Sequence, residues 1–407
     1  MARKPKLPTA RRPKVPKLPP MRYAHPFFTA TPPVRRPVDP ALHARRMSEV
    51  IQAKMGPIPP PRGTPTMQLV DIIGKQGVGE ITAAGKIRFH SVGDTGRPGG
   101  ADAAQEDVTN AMTSNYNPST PGDNPAFFLH LGDVIYGHDK EQLYRDEFYR
   151  PYMKYPGKIL AIGGNHDGES DPPHPKPLSA FLANFCATSA VVPPAADNVR
   201  IFRQTMTQPG VYWLLQAPFV NMIGLYSNIA EGPGDLLGTN RDDKQIQWLK
   251  KTLADLKKAK DGGDKAALVI ATHHPPFSEG GHGGSPVMLT QIDDACTGAG
   301  IIPHAMLAGH SHNYQRYTRT VRFGAVTGEI AYVVAGCGGH AASQVATATG
   351  GDVGNGAIFK KSLRGYGYLL LTVDSNQLVI EMFDTTSGTK RPFDKATVNL
   401  ATHKVTP

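Results

Sequence analysis

Five short apolar runs along the chain each stop at a small residue and hand over to acids, amides and imidazoles. Residues 87–92 lead into Gly93-Asp94-Thr95-Gly96, and residues 127–131 lead into Gly132-Asp133-Val134-Ile135-Tyr136. Further on, residues 159–162 end in Gly163-Gly164-Asn165-His166-Asp167, residues 267–271 in Thr272-His273-His274, and residues 305–308 in Gly309-His310-Ser311-His312. Runs of this length bounded by glycine read as buried strands. In open α/β sheets, ligands gather beyond the carboxyl ends of such strands. One Gly-Asp pair would mark a turn and nothing more. Five successive clusters of oxygen and nitrogen donors point instead to a binuclear metal centre at one edge of a sheet.

The segments between these runs fit crossover connections. Residues 103–112 place Ala104, Val108, Ala111 and Met112 at helical spacing. Residues 241–258 carry Ile246, Leu249, Leu253 and Leu256 on one stripe with lysines opposite, the pattern of a helix lying on a core. Shorter helices are expected over residues 139–149, closed by Pro151, and over residues 178–186. Residues 67–73 read as an edge strand, and residues 74–85 as a turn-rich approach to the first run. Residues 211–215 and 219–227 read as two strands around Ala217-Pro218. The last third is β-rich, with strands over 331–335, 368–373 and 378–383 and a hairpin turn at Asp374-Ser375-Asn376. Parallel strands need crossovers, so the alternation gives an α/β fold built as a layered sandwich.

Composition changes this picture at one end. The formal charge of the 407-residue chain is +10, which suggests an anionic partner until the charge is located. Residues 1–65 hold 14 Lys and Arg against Asp39 and Glu49, a net +12, which leaves residues 66–407 at −2. The same segment holds 16 of the 37 prolines and too little apolar surface to offset its ordering entropy. It is expected to be a disordered or surface-draped extension, with residues 66–407 as the folded domain. No aromatic-basic module accompanies the charge, so nucleic acid is not an expected partner. Arg11-Arg12 is followed by no apolar segment, so neither a signal peptide nor a membrane helix is expected. Cys186, Cys296 and Cys337 are scattered and form no disulfide framework or Cys-x-x-Cys pattern, which fits a reduced, cytoplasmic setting.

Gly93-Asp94-Thr95-Gly96, Gly132-Asp133-x-x-Tyr136, Gly164-Asn165-His166-Asp167, Val269-x-x-x-His273 and Gly309-His310-x-His312 resemble, in this order, the five blocks of the calcineurin-like metallophosphoesterases. Three features look like the purple acid phosphatase branch: Tyr136, the glycine where most of the superfamily has histidine in the first block, and Tyr314 with Arg316 after the last. The β-rich end through residue 384, including residues 335–340, is also similar. The resemblance implies a four-layer α/β/β/α sandwich with mixed sheets around a binuclear centre. Asp133 would bridge the metals. Asp94, Tyr136 and His312 would hold a ferric ion, and Asn165, His273 and His310 a divalent iron, zinc or manganese. The chemistry agrees, because two cations about 3.5–4 Å apart need a shared anion between them. A phenol of ordinary pKa, about 10, also needs a strongly Lewis-acidic metal to ionise at neutral pH. In the fourth block the valine stands one residue further from the histidine than the family pattern, and His274 competes with His273. Adjacent strand residues face opposite ways, and register relative to Pro275-Pro276 favours His273. His90, His130, His174, His304 and His340 read as packed or surface histidines.

The implied reaction is hydrolysis of phosphate monoesters, as in an acid phosphatase, by in-line attack of a metal-activated water on phosphorus. His166 follows the ligand Asn165 and is the candidate to hold phosphoryl oxygens or donate a proton. Asp167 is the candidate to orient its ring. His282, in the glycine-rich segment from Ser278 to Gly284, resembles the substrate histidine of the tartrate-resistant mammalian members; otherwise it is a solvent-exposed loop residue. A phosphodiesterase or a nucleotide-specific phosphohydrolase could use the same centre. A polyanion-binding protein with a structural metal site is the alternative of another class.

Overall fold

The computed structural model describes residues 55–96, 103–137, 143–169, 177–229 and 231–407. Residues 1–54 of the expected extension, His174, and residues 139–142 of the expected helix lie outside the described residues.

Two mixed sheets form the centre. With strands numbered along the chain, one sheet has eight in the order β1 (Thr66–Gln68), β5 (Trp213–Ala217), β6 (Val220–Gly224), β7 (Ala267–Ala271), β8 (Ala305–Ala308), β10 (Val326–Ala335), β9 (Tyr314–Phe323) and β11 (Ala357–Leu363). The other has seven in the order β15 (Val405–Thr406), β14 (Arg391–Asn399), β13 (Gln377–Asp384), β12 (Gly367–Asp374), β2 (Lys86–Val92), β3 (Phe127–His130) and β4 (Lys158–Ala161). Strands β6, β7 and β8 run parallel, as do β2, β3 and β4, while β12, β13, β14 and β15 form an antiparallel meander.

The central strands read as unbroken apolar runs because both of their faces are covered. In β7, Ala267, Val269 and Ala271 join the core between the sheets, while Leu268 and Ile270 join a second cluster on the outside. β8 repeats this, with Ala305 and Leu307 inward and Met306 outward. That outer cluster is completed by two of the four longer helices, numbered α1 (Leu69–Ala84), α2 (Ala103–Thr113), α3 (Lys244–Asp261) and α4 (Pro286–Ala299). Ile246, Leu249, Leu253 and Leu256 of α3 and Met288, Leu289 and Ile292 of α4 supply its apolar side. α2 covers the other sheet, where the Tyr368 hydroxyl of β12 donates to the Ala111 carbonyl at 3.3 Å. The four layers are thus helix, sheet, sheet and helix.

Several expectations shift. The five donor-bearing strands do not share one sheet: β2, β3 and β4 belong to one and β7 and β8 to the other. Their carboxyl ends meet across the sandwich, because each sheet buries a face against its partner. The edge strand expected over residues 67–73 is three residues long and gives way to α1, which also occupies most of the turn-rich stretch expected over residues 74–85. Three glycines hid this helix, and Gly74, at φ 78° and ψ 169°, does break its regular geometry. Strand β9 was missed because arginines interrupt its pattern; Arg316 and Arg319 are nonetheless buried, paired with Asp394 and Asp293 at 2.6 Å each. Among the described residues no helix is long and apolar enough to cross a membrane.

Residues 55–65 run along this body. The Arg62 guanidinium donates to the carbonyls of Cys186 and Gln208, and the Pro65 carbonyl accepts from the Leu214 amide at 2.8 Å. Removing residues 1–65 should therefore destabilise the body by about 1–3 kcal/mol more than removing residues 1–54. Chemical denaturation of the two truncated chains measures the difference, and equal midpoints would show that the segment contributes nothing.

Candidate metal centre

The segments that follow β2, β3, β4, β7 and β8 carry the site. Three of its residues sit in the left-handed backbone region: Asp94 at φ 57°, Asp133 at φ 52° and His310 at φ 65°. This conformation is costly for any residue with a Cβ and persists where the surroundings over-determine it, often at functional sites. Gly132 allows the packing, since a Cβ at its φ of 91° would fall 2.6 Å from His273 Nδ1.

Two groups of donors result. His273 Nε2 lies 3.0 Å from Asn165 Oδ1 and 3.2 Å from Asp133 Oδ2, and His310 Nδ1 lies 3.0 Å from the same Asn165 oxygen. His273 Nδ1 donates to the Leu131 carbonyl at 2.8 Å, which presents Nε2 to the centre. In the second group, Asp94 Oδ1 accepts from the Tyr136 hydroxyl at 3.2 Å and lies 3.5 Å from His312 Nε2, itself 3.4 Å from that hydroxyl. Asp94 Oδ2 accepts from the His310 amide at 2.7 Å, and Asp133 Oδ1 from the His166 amide at 3.0 Å. All seven expected ligands thus come together, six of them buried.

The neighbours are less as expected. His274 is buried too, 4.3 Å ring to ring from His310, and its Nδ1 meets the Ser227 hydroxyl at 2.8 Å. The Asp167 carboxylate takes the amides of Gly164 at 2.9 Å and Val134 at 3.2 Å, bracing the third block against the second. The carboxylates that face the His166 ring are Glu169, 3.4 Å from Nδ1, and Glu231, 3.2 Å from Nε2. Neither was legible in the sequence, since Glu231 comes from a loop that no motif marks. His282 is half-buried, its ring 4.3 Å from His310 and 5.5 Å from His312. Its glycine-rich segment is tied down by the Gly281 amide, which donates to the Gln344 carbonyl at 3.0 Å. His340, read as a packed or surface residue, stacks on Tyr136 at 3.9 Å. His90, His130 and His304 are packing residues bonded to Tyr155, Thr95 and the Leu268 amide. Tyr314 and Arg316 share Asp394 and brace β9 against β14.

The donor set fits cations. Two buried carboxylates crowd three imidazoles, of which only that of His312 is partly exposed, and the buried His310 Nε2 has no hydrogen-bond partner. Such a cluster needs positive charge, which protons would supply where no metal is bound. Burial, against the pull of His273, pushes Asp94 up to about 7. Despite its burial, His273 is raised to about 9 by Asp133, whose own carboxyl His273 holds well below the usual range. Asp133, His273 and His310 also offer donor atoms within 4.8 Å of one another. Bound metal would displace these protons, so affinity should rise with pH: His273 must lose its proton below about pH 9, and Asp94 as well below about pH 7. Calorimetric zinc titrations in buffers of different ionisation enthalpy should count about one proton released at pH 8 and approach two at pH 6. A count that stays at zero would contradict this.

Comparison with known proteins agrees with this geometry. Solved structures with a similar fold include GAP50, the anchor in the inner membrane complex of Plasmodium, at 12% identity and TM-score 0.51, over 76% of this chain and 89% of that one. PhoD is similar at 13% identity and TM-score 0.50, over 79% of this chain and 71% of that one. These likenesses concern the fold alone. No curated protein matches the chain in sequence. The model of the calcineurin-like phosphoesterase family matches residues 87–314, more than half of the chain and every donor block. The protein therefore belongs to the calcineurin-like phosphoesterase family, whose domain implies metal-dependent phosphoester hydrolysis.

Proposed function

We propose that the protein is a phosphomonoesterase of the purple acid phosphatase kind. In this reading Asp94, Asp133, Tyr136 and His312 hold a ferric ion, and Asp133, Asn165, His273 and His310 a divalent iron, zinc or manganese. Tyr136 carries the proposal. Its buried hydroxyl lies against Asp94 and His312, and burial, followed by the charges of Asp133 and Asp94, pushes its pKa well above that of a free phenol. A phenol so placed ionises only beside a strong, hard Lewis acid. The neutral amide and imidazoles of the other group suit a divalent ion. When bound, the metals would supply Lewis-acid charge to the phosphoryl oxygens and activate a water for attack on phosphorus.

The remaining histidines divide the other tasks. Against the cost of burial, Glu169 and Glu231, which accept hydrogen bonds from its ring, raise His166 to about 11, so in the metal-free site it is a cation, and its charge would favour a phosphoryl group bound nearby. Burial lowers His282 below the ordinary histidine value, although Glu231 pulls the other way. His282 therefore exchanges its proton in the acid range and suits the role of general acid to the departing oxygen. The monoester preference rests on the likeness of Tyr136 and His282 to the acid phosphatase pattern, and turnover of monoesters against diesters tests it.

Two outcomes follow for variants. Tyr136→Phe should abolish the visible phenolate-to-iron absorption while the protein stays folded, since the ring still packs. An unchanged spectrum in iron-replete protein would remove Tyr136 from the ligand set. His282→Ala should slow hydrolysis of alkyl phosphates by about 10²- to 10⁴-fold and affect nitrophenyl phosphate much less, because an alkoxide needs a proton to leave and a nitrophenolate does not. In the unaltered protein, alkyl phosphate turnover should fall as pH rises through the depressed His282 pKa, and the variant should lose that limb. Equal losses on both substrates would assign His282 to phosphate binding.

A further inference from the structure

Tyr136 belongs to no helix or strand. It lies in the irregular stretch from Leu131 to Gly137, so its position must be set by tertiary contacts. Two come from residues outside the donor blocks. The Tyr136 amide donates to Glu147 Oε2 at 2.8 Å. Glu147 is fully buried on a π-helical turn, Tyr144–Tyr149, whose Glu147 carbonyl accepts from Gln105 Nε2 at 2.8 Å. Turns of this kind are rare and recur beside functional sites. A buried carboxylate that accepts this amide ties the loop to the helical turn.

The second contact is on the ring. His340 stacks on Tyr136 with centroids 3.9 Å apart and planes 24° from parallel. His340 is itself fixed twice: its Nδ1–H donates to the Gly96 carbonyl at 2.8 Å, and its amide donates to the Asp94 carbonyl at 2.9 Å. Gly96 joins the two contacts, because a Cβ there would fall 2.5 Å from Glu147 Oε2 and 2.8 Å from the Val134 carbonyl. The glycine that ends the first donor block thus leaves room for the carboxylate on one side and offers its carbonyl to His340 on the other.

We infer that Glu147 and His340 form a clamp that positions Tyr136: Glu147 sets its backbone, and His340 sets the plane of its ring so that the hydroxyl points between Asp94 and His312. Both are positioning residues, acting through Tyr136. The inference rests on the reading of Tyr136 as a metal ligand. It adds two residues that lie outside the five blocks, one in an unmarked helical turn and one after β10.

Metal retention tests it directly. The full chain is loaded with iron or with zinc, dialysed against a chelator, and assayed for metal per chain and visible absorption. Circular dichroism confirms that each variant is folded. His340→Ala should lose metal about tenfold faster than the unaltered chain, in the range that such supporting partners contribute, and shift or weaken the absorption of the iron form. His340→Phe, which keeps the stack, should recover most of both. Glu147→Gln, which keeps an acceptor for the Tyr136 amide, should stay close to the unaltered chain, and Glu147→Met should resemble His340→Ala. In the Tyr136→Phe background, His340→Ala should add less than about twofold. An equal cost in both backgrounds, or no cost in either, would overturn the clamp. If Tyr136→Phe alone leaves retention unchanged, the ligand reading fails and the clamp falls with it. If Tyr136→Phe speeds metal loss and His340→Ala does not, only the clamp fails.

Discussion

The whole structure turns on two carboxylates that should not be where they are. Asp94 and Asp133 are both buried, at 0% and 1% exposure, and burial together with the charge of Asp133 raises the cost of ionising Asp94. A buried charge without a partner is expensive, and in practice such a group takes up a proton or finds a cation. Here protons do part of that work through Asp94 and His273, and His166 adds a fixed positive charge. The arrangement makes sense as a cage built for cations of higher charge. Its surroundings can be read as the means of keeping these groups together despite their repulsion.

The fold provides those means by cooperation between layers. Neither sheet holds a complete donor group. Asn165 follows β4 in one sheet, yet its oxygen lies within 3.0 Å of His273 and His310, which follow β7 and β8 in the other. The apolar core between the sheets is therefore what holds the donors in register, and the left-handed backbone at Asp94, Asp133 and His310 is the local strain it sustains. Asp167 ties the second and third blocks together through backbone amides, a structural use of a conspicuous motif residue.

What the sequence made legible follows from range. Four of the five strands announced themselves because burial on both faces leaves nearly unbroken apolar runs, while β2 is interrupted by Arg88, and the donors after all five had to face a ligand site or be wasted. Helix α3 was legible for the same reason, its stripe matching one buried side. The expected single sheet edge was mistaken because nothing in a run such as residues 267–271 says which sheet it joins; that depends on pairing partners far away. Helix α1 was hidden by glycines that lower its propensity, and β9 by arginines whose charges are matched by Asp293 and Asp394 from remote segments. Glu169 and Glu231 escaped notice because a glutamate outside the motif blocks, half-buried or exposed, has no pattern of its own. His340 escaped because its meaning lies in stacking on a residue 204 positions earlier in the chain.

The histidines around the donors show why residue type alone could not assign their roles. His166 and His282 lie near the same centre, yet their proton affinities are driven in opposite directions. His166 is gripped by two carboxylates, while His282 packs against other imidazoles, and burial lowers its proton affinity although Glu231 and Asp133 pull the other way. A group that always carries its proton steadies an anion but is slow to give the proton away. One that holds it loosely can deliver it at the moment a bond breaks. In the proposed reaction this contrast would separate binding from proton transfer, and it comes from the neighbours of each ring. The chemistry available to each imidazole is thus set by the packing of the sandwich.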